Sequence, residues 1–141
     1  MKTLRSILFV FAAALLLTTA AKAQTTAVKA DVPFDFVVGD IAYPAGQYDL
    51  KTVTTSGVIR IRNAQDSDVS NFQSSHACTH TMPSQKTELV FLRLGGNYYL
   101  YQIWTEGRES GREFPKSRSY MQLAKNHEQP EALIVAANIS Q

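Results

Sequence analysis

Apolar and polar residues alternate along much of this chain, which is the pattern of β-strands with one buried face. Every even position from 28 to 38 is apolar, whereas lysine, aspartate or proline occupies most of the odd positions. This period of two predicts a strand whose even side chains, including Phe34 and Phe36, belong to a core. Because Pro33 has no backbone N–H to donate, we expect a bulge or bend there, at a sheet edge or at a crossover between two sheets.

Shorter segments of the same kind follow. Residues 41–43, 48–51 and 58–62 are alternating or apolar, and glycine, proline, asparagine and aspartate separate them. Such residues favour turns, so each segment predicts one more strand. Residues 69–73 carry a weaker signal of this type, and residues 133–137 predict a final apolar strand.

Residues 87–104 differ from the others because both of their faces are apolar or aromatic around Gly95, Gly96 and Asn97. That pattern predicts a hairpin at the centre of the fold, covered on both sides. Strict alternation would place Tyr99, Tyr101 and Ile103 on one face of its second strand, and Tyr98, Leu100, Gln102 and Trp104 on the other.

A short helix is predicted to provide the cover. Residues 117–125 follow Pro115 and place Tyr120, Met121, Leu123 and Ala124 at helical spacing. The predicted fold class is therefore mainly β, an antiparallel β-sandwich or partly open barrel of about seven or eight strands with one short C-terminal helix.

The N-terminus has the features of an export signal. Lys2 and Arg5 precede an apolar block of 11 residues, and Ala21, Lys22 and Ala23 complete the small-x-small pattern that a signal peptidase recognises. A membrane-spanning helix needs about 20 residues, so the block indicates a cleaved signal rather than an anchor. We expect residues 1–23 to be a signal peptide and residues 24–141 a single β-rich domain, periplasmic or secreted, with no membrane anchor after cleavage.

Removal of that signal changes the charge balance. The full chain has 14 lysines and arginines against 12 acidic residues, and three of the basic residues leave with the signal. The mature net charge is then −1, which gives no electrostatic reason to expect nucleic acid as a partner. Cys78 is the single cysteine, so no intramolecular disulfide can form and the core alone must hold the domain.

A donor-rich segment is the sharpest candidate site. His76, Cys78, His80 and Met82 alternate within seven residues and offer the ligand types that suit copper or zinc. In an extended strand alternate side chains lie about 6.6 Å apart, so the two histidines would be about 13 Å apart, too far for one tetrahedral site. We therefore expect a polar loop over residues 73–85 and no cofactor, and we keep a metal-binding or redox protein as the alternative.

A second candidate is an aromatic and arginine-rich surface. Aromatic rows on strands can stack on sugar rings or on a protein partner, and arginines can hold an anionic group. The residues predicted for such a surface are Tyr99, Tyr101, Trp104, Arg112 and Arg118. Ser110 does not match a nucleophile elbow, because it lies one position too late after Gly107, and residues 107–111 are predicted to be a charged loop.

Several motifs resemble those of a known family. Val-Pro-Phe-Asp-Phe-Val-Val-Gly at residues 32–39 and Pro-Ala-Gly-Gln-Tyr at 44–48 are similar to a family of small exported proteins of unknown function that is common in acidobacterial genomes. Gln-Ile-Trp at 102–104 and Gly-Arg-Glu-Phe-Pro-Lys-Ser-Arg at 111–118 extend the resemblance over most of the mature chain. It implies an exported β-rich domain, and it brings no activity, cofactor or catalytic residue.

These observations predict a non-catalytic binding or envelope-associated module, because no catalytic motif in the sequence is complete. Its partner would be a protein or a glycan of the cell envelope. A hydrolase is a third class, but the sequence offers no identifiable pair of nucleophile and base.

Overall fold

The protein is described by a computed structural model that covers residues 26–126 and 129–140. This part of the chain is mainly β, with 56% strand and 6% helix, and it forms an open, curled sheet of half-barrel shape with one short helix. The predicted fold class is thereby confirmed. The predicted signal peptide, residues 1–23, lies outside the described residues. In the described part of the chain, residues 26–126 and 129–140, no helix has the length and apolar character needed to span a membrane.

Eleven strands and one helix follow one another along the described chain. The strands are β1 (Ala27–Val32), β2 (Phe36–Val38), β3 (Ile41–Tyr43), β4 (Gly46–Thr52), β5 (Val58–Asn63), β6 (Ser70–Ser74), β7 (His76–Thr79), β8 (Glu88–Leu94), β9 (Asn97–Trp104), β10 (Ser110–Glu113) and β11 (Glu131–Ser140). The helix α1 (Arg118–Ala124) lies between β10 and β11.

The strands join in one curled sheet with the order β3-β2-β9-β8-β11-β1-β4-β5-β6. The described pairs are antiparallel except for β2 with β9. Strand β2 meets the first half of β9 at Tyr99, and β10 meets its second half at Gln102 and Ile103. Strand β7 then pairs with β10. One half of the curled sheet consists of β1, β4, β5 and β6, and the other half consists of the remaining strands. The two halves face a shared interior.

The chain passes between those halves at Ser75. Strand β6 pairs with β5 in one half, β7 pairs with β10 in the other, and Ser75 alone separates β6 from β7. The buried Ser75 donates both its backbone N–H and its hydroxyl to the carbonyl oxygen of Gly57, at 3.0 and 2.5 Å. These two hydrogen bonds fix the kink that carries the chain across the barrel.

The alternation at residues 28–38 is confirmed within its two strands, together with its predicted break, whereas Phe34 at that break is half-buried and packs against the core. The even positions of the two strands in this segment are at most 6% exposed: Val28, Ala30, Val32, Phe36 and Val38. The ladder stops at Pro33, and β2 pairs with β3 and β9 whereas β1 pairs with β4 and β11. The segment is therefore a crossover between two parts of the curled sheet, as Pro33 predicted.

Aromatic rings fill one end of the half-barrel, which we call the closed end. Its six rings contact one another in stacked or edge-to-face pairs, with centroids 4.0 to 5.9 Å apart: Phe34, Phe36, Tyr43, Tyr48, Phe91 and Tyr98. Such pairs add about 0.5–1.5 kcal/mol each beyond the apolar area they bury. The Gln73 amide also donates to the Tyr43 hydroxyl at 3.5 Å, which links β6 to β3 across the open seam.

Helix α1 forms as predicted and packs on the outer face of the sheet. Ser117 caps its N-terminus by accepting the backbone N–H of Tyr120 at 3.1 Å. Tyr120 is buried with Leu94 and Tyr99 in a small second cluster outside the barrel. The helix therefore covers part of the outer face of the central hairpin, at Leu94 and Tyr99.

Two strands that the sequence pattern missed lie in the segments predicted as loops. Strand β7 falls within the predicted polar loop at residues 73–85, and β10 begins within the predicted charged loop at 107–111. Neither has an apolar alternation. They are strands because β7 pairs with β10 and β10 pairs with β9 through the backbone. Strand β11 is also longer than predicted. With β7 and β10, the described residues form eleven strands, more than the seven or eight expected.

A β-bulge in β9 overturns the predicted division of its two faces. Phe91 pairs with Leu100 but Val90 pairs with Gln102, so Tyr101 has no partner on β8. The extra residue shifts the alternation by one position. Leu100 and Ile103 consequently both join the core, although strict alternation placed them on opposite faces.

Candidate functional site

The two faces of β7, β10 and β9 carry different chemistry. Arg112 pairs with Ile103 on one side and Ala77 on the other, and cross-strand partners share a face. Since Ile103 belongs to the core, Arg112 and Ala77 face the barrel interior. The flanking position, Glu113, pairs with Gln102 and His76, so these three face outward.

A cleft of about 430 Å³ opens at the end of the half-barrel opposite the aromatic rings. We call this the open end. The cleft lies between β1, β4 and β5 on one side and β7, β9 and β10 on the other. Fifteen residues line it: Thr26, Val28, Leu50, Thr52, Val53, Thr54, Thr55, Ile59, Ala77, Ile103, Thr105, Arg108, Ser110, Gly111 and Arg112. Its volume is typical of a small-molecule pocket, which spans about 300–1,000 Å³.

The floor and the rim of the cleft differ in polarity. Val28, Leu50, Ile59 and Ile103 form the floor, and each is at most 6% exposed because it also belongs to the core. Five threonines and Ser110 contribute hydroxyl groups. The two charged residues of the lining are both arginines, Arg108 and Arg112. The cleft therefore combines an apolar base with a rim of hydroxyl and guanidinium groups.

The two arginines of the rim are not neutralised by carboxylates of the described chain. The ion pairs there join Arg62 to Asp49, Arg93 to Glu131 and Arg118 to Asp40, so none involves Arg108 or Arg112. Arg112 lies on β10, which pairs with β7 on one side and β9 on the other. A Cβ placed on Gly57 would lie 2.7 Å from Nη1 of Arg112, so this guanidinium packs directly against the glycine at the tip of the β4–β5 hairpin.

The outward face of the same strands holds an aromatic and amide cluster. The indole of Trp104 stacks on the His80 imidazole, with ring centroids 3.5 Å apart. Its Nε1 donates to Gln102 Oε1 at 3.1 Å, and Gln102 Nε2 donates to Glu113 Oε2 at 2.8 Å. A Cβ on Gly111 would lie 2.7 Å from Cε3 of Trp104, so the indole packs against the strand that forms the cleft wall.

The donor-rich segment does not gather into one site. Strand β7 is extended, as the spacing argument required, and the described residues contain no group of three or more His, Cys, Asp or Glu side chains that could hold a metal ion. Met82 is 74% exposed. Burial, and after it the charge of Glu113, raises the pKa of the Cys78 thiol, which disfavours the reactive thiolate.

The predicted binding residues are separated by the fold. Tyr99 is 5% exposed beneath helix α1 and Trp104 is 2% exposed beneath His80, so the prediction that they form an accessible platform is wrong. Tyr101 is half-buried on the outer face, where burial and Glu113 raise its pKa. Arg118 lies at the start of α1, where it pairs with Asp40 at 3.6 Å. Of the five, Arg112 alone reaches the cleft.

Sequence reasoning missed the other cleft residues because their proximity is long-range. The threonine-rich turn after β4 lies about 50 positions from Arg108 and Arg112, and only the curling of the sheet brings the two together. A local signal does exist, since Thr52 ends a half-buried strand and Thr54 and Thr55 lie in the turn after it.

No family model, curated protein or solved structure matches this chain. Function is therefore inferred from the geometry and chemistry of the cleft.

Proposed function

We propose that this protein is an exported, non-catalytic binding module that holds a small ligand in the cleft at the open end of its half-barrel. The observation that carries the proposal is the combination of about 430 Å³ of space, an apolar floor and a polar rim. A concave, mainly apolar site with a few convergent polar groups is the usual form of a small-molecule pocket.

The chemistry of the lining supports binding rather than catalysis. Its hydroxyl groups would need an adjacent base to act as nucleophiles, and its 15 described residues include no histidine, carboxylate, thiol or lysine. Arginine does not act as a base, because its guanidinium stays protonated. Cys78 and the two histidines near it belong to the strand segment outside this lining.

Export is supported by the sequence features of residues 1–23 and would put the cleft in contact with periplasmic or extracellular molecules. We expect the mature chain to begin within a few residues of Gln24. Cell fractionation followed by N-terminal sequencing checks this, and recovery of an uncleaved chain in the inner membrane would show that the segment is an anchor.

Occupancy of the cleft can be tested with a neutral, apolar dye such as N-phenyl-1-naphthylamine. We expect saturable binding with one equivalent per chain, accompanied by a change in the fluorescence of Trp104, the single tryptophan. Its indole packs against Gly111, which itself lines the cleft, so it is placed to report on an occupant.

A matched pair of variants separates the cleft from other apolar surface. Ala77→Phe adds a ring at the cleft wall and should abolish the dye signal, whereas Ala136→Phe adds the same ring at an exposed position of β11, outside the lining, and should leave it unchanged. Equal dye binding by both variants and the parent would contradict the proposed site.

A further inference from the structure

The rim of the cleft indicates which class of ligand it takes, an inference that rests on the proposed function. We propose that the ligand is a single-chain amphiphile with an anionic head group, a carboxylate or a phosphate. The head is bound by Arg112 and Arg108 and the chain lies on the apolar floor.

Arg112 is the residue that fixes the head group. It projects from β10, which is paired on both sides, and its guanidinium is held against Gly57. A guanidinium presents a planar fork of donors that matches a carboxylate or a phosphate, and it remains charged at all physiological pH values. With no ion pair to a described carboxylate, its donors are available to an incoming anion.

Arg108 adds a second positive charge to the same rim. It follows the turn at Gly107 and lines the cleft four positions before Arg112. The described residues of the lining carry two positive charges and no negative one, so their field favours an anion over a cation. Rim hydroxyls, such as those of Thr105 and Ser110, offer additional donors to the head-group oxygens.

The floor determines the rest of the ligand. Val53 and Ala77 offer exposed aliphatic surface, and beneath them Val28, Leu50, Ile59 and Ile103 are nearly buried and add no polar side-chain atom. Burying one methylene group on such a surface tightens binding by about fourfold. An ion without an apolar part, such as inorganic phosphate, would leave this floor unused and bind weakly.

The volume limits the length of the chain. About 430 Å³ corresponds to roughly 14 water molecules at liquid density, enough for a chain of about ten carbons and its head group. Decanoate and decyl phosphate are therefore suitable probes, and decanol and decylamine are their neutral and cationic counterparts.

The experiment measures the affinity of the mature protein for these four probes at pH 8, where the carboxylate is ionised. Displacement of the neutral dye and Trp104 fluorescence provide two independent readouts. We expect decanoate or decyl phosphate to bind at least about tenfold more tightly than decanol and decylamine, since hydrogen bonds to a charged group commonly contribute that much. Comparing the two anions identifies which head group is preferred.

Arg112→Gln tests the role of the guanidinium. It should weaken binding of the preferred anion by about tenfold or more, so that the variant no longer prefers the anion over decanol. A cooperative urea transition at the parent's midpoint shows that the variant is folded. Arg118→Gln is the matched control, because Arg118 lies outside the cleft and should change nothing.

The outcomes separate this inference from the proposed function. If decanol or decylamine binds as tightly as the anions, or if Arg112→Gln keeps the parent's preference, the anionic class is wrong while the binding module stands. If neither the dye nor any of the four amphiphiles binds, the proposed function fails and this inference fails with it.

Discussion

The two ends of the half-barrel share two strands, yet one end is filled and the other is open. Strands β4 and β9 contribute side chains to both ends. At the closed end their Tyr48 and Tyr98 fill the interior together with four more aromatic rings, whereas at the open end they place Leu50 and Ile103 beneath a cleft. Along these two strands the difference lies in side-chain size.

This contrast shows how a small domain can combine stability with a binding site. The aromatic end buries large rings in close contact, and such packing contributes most of the free energy of folding. At the open end part of the cleft lining, including Val53 and Ala77, is exposed to solvent, and a ligand could complete the packing there. Substitutions at the two ends should therefore have very different effects on stability.

The largest effect is expected from Phe36→Ala at the closed end. Phe36 is 3% exposed and contacts the rings of Tyr43, Tyr48 and Phe91, so its removal leaves a cavity that its neighbours cannot fill. We expect a loss of about 3–5 kcal/mol in the free energy of unfolding, measured by urea denaturation. Phe72→Ala is the control, because Phe72 is 64% exposed and should change stability by less than about 0.5 kcal/mol. Similar losses in both variants would contradict the assigned core.

A smaller loss is expected from Gly111→Ala in the wall between the cleft and Trp104. The φ of Gly111 lies outside the left-handed region, but an added Cβ would lie 2.7 Å from both the Ile103 carbonyl oxygen and Trp104 Cε3. The backbone carbonyl cannot move without disturbing β9, so we expect a cost of about 1–3 kcal/mol. Ser110→Ala, an exposed neighbour on the same strand, should be nearly neutral. An unchanged melting temperature for Gly111→Ala would mean that the indole does not pack there.

The closed end was largely predictable from the sequence because its signals are local. The alternation of residues 28–38 identified Phe36 as a core residue, and Pro33 indicated the crossover. The open end was not predictable, because β10 has no apolar pattern and exists through its pairing with β7 and β9. The bulge at Tyr101 was not predictable from the sequence either, and one unpaired residue reverses every face assignment after it. Arg112 was identified as a candidate, but not the cleft that surrounds it.

Alkaline pH should destabilise the protein through the buried tyrosines of the closed end. Burial raises the pKa of Tyr43 more than its hydrogen bond with Gln73 lowers it, and burial likewise raises the pKa of Tyr48. An unfolded tyrosine loses its proton near pH 10, whereas the folded one keeps it to higher pH, so the unfolded state binds fewer protons. The contribution of these two tyrosines to stability should therefore be constant below about pH 9 and fall as pH rises through 10 and above.

Tyr43→Phe should make that alkaline decline shallower and cost about 1 kcal/mol or less at pH 7, since one hydrogen bond is lost. Denaturant midpoints measured from pH 8 to 11 give the slope. Thr52→Val, at the open end and without a titratable group, should keep the parental slope. A slope unchanged by Tyr43→Phe would show that this hydroxyl does not contribute to the pH dependence.

The smallest effect on stability is expected from Ala77→Phe at the open end. Ala77 is exposed and its side chain faces the cleft, so a larger ring enters existing space and displaces no buried atom. We expect the free energy of unfolding to change by less than about 0.5 kcal/mol, in contrast to overpacking in a filled core. The same substitution should abolish dye binding, which would show that ligand binding can be lost without a loss of stability. A loss of several kcal/mol would show that the open end is packed as tightly as the closed one, and that the contrast between the two ends is wrong.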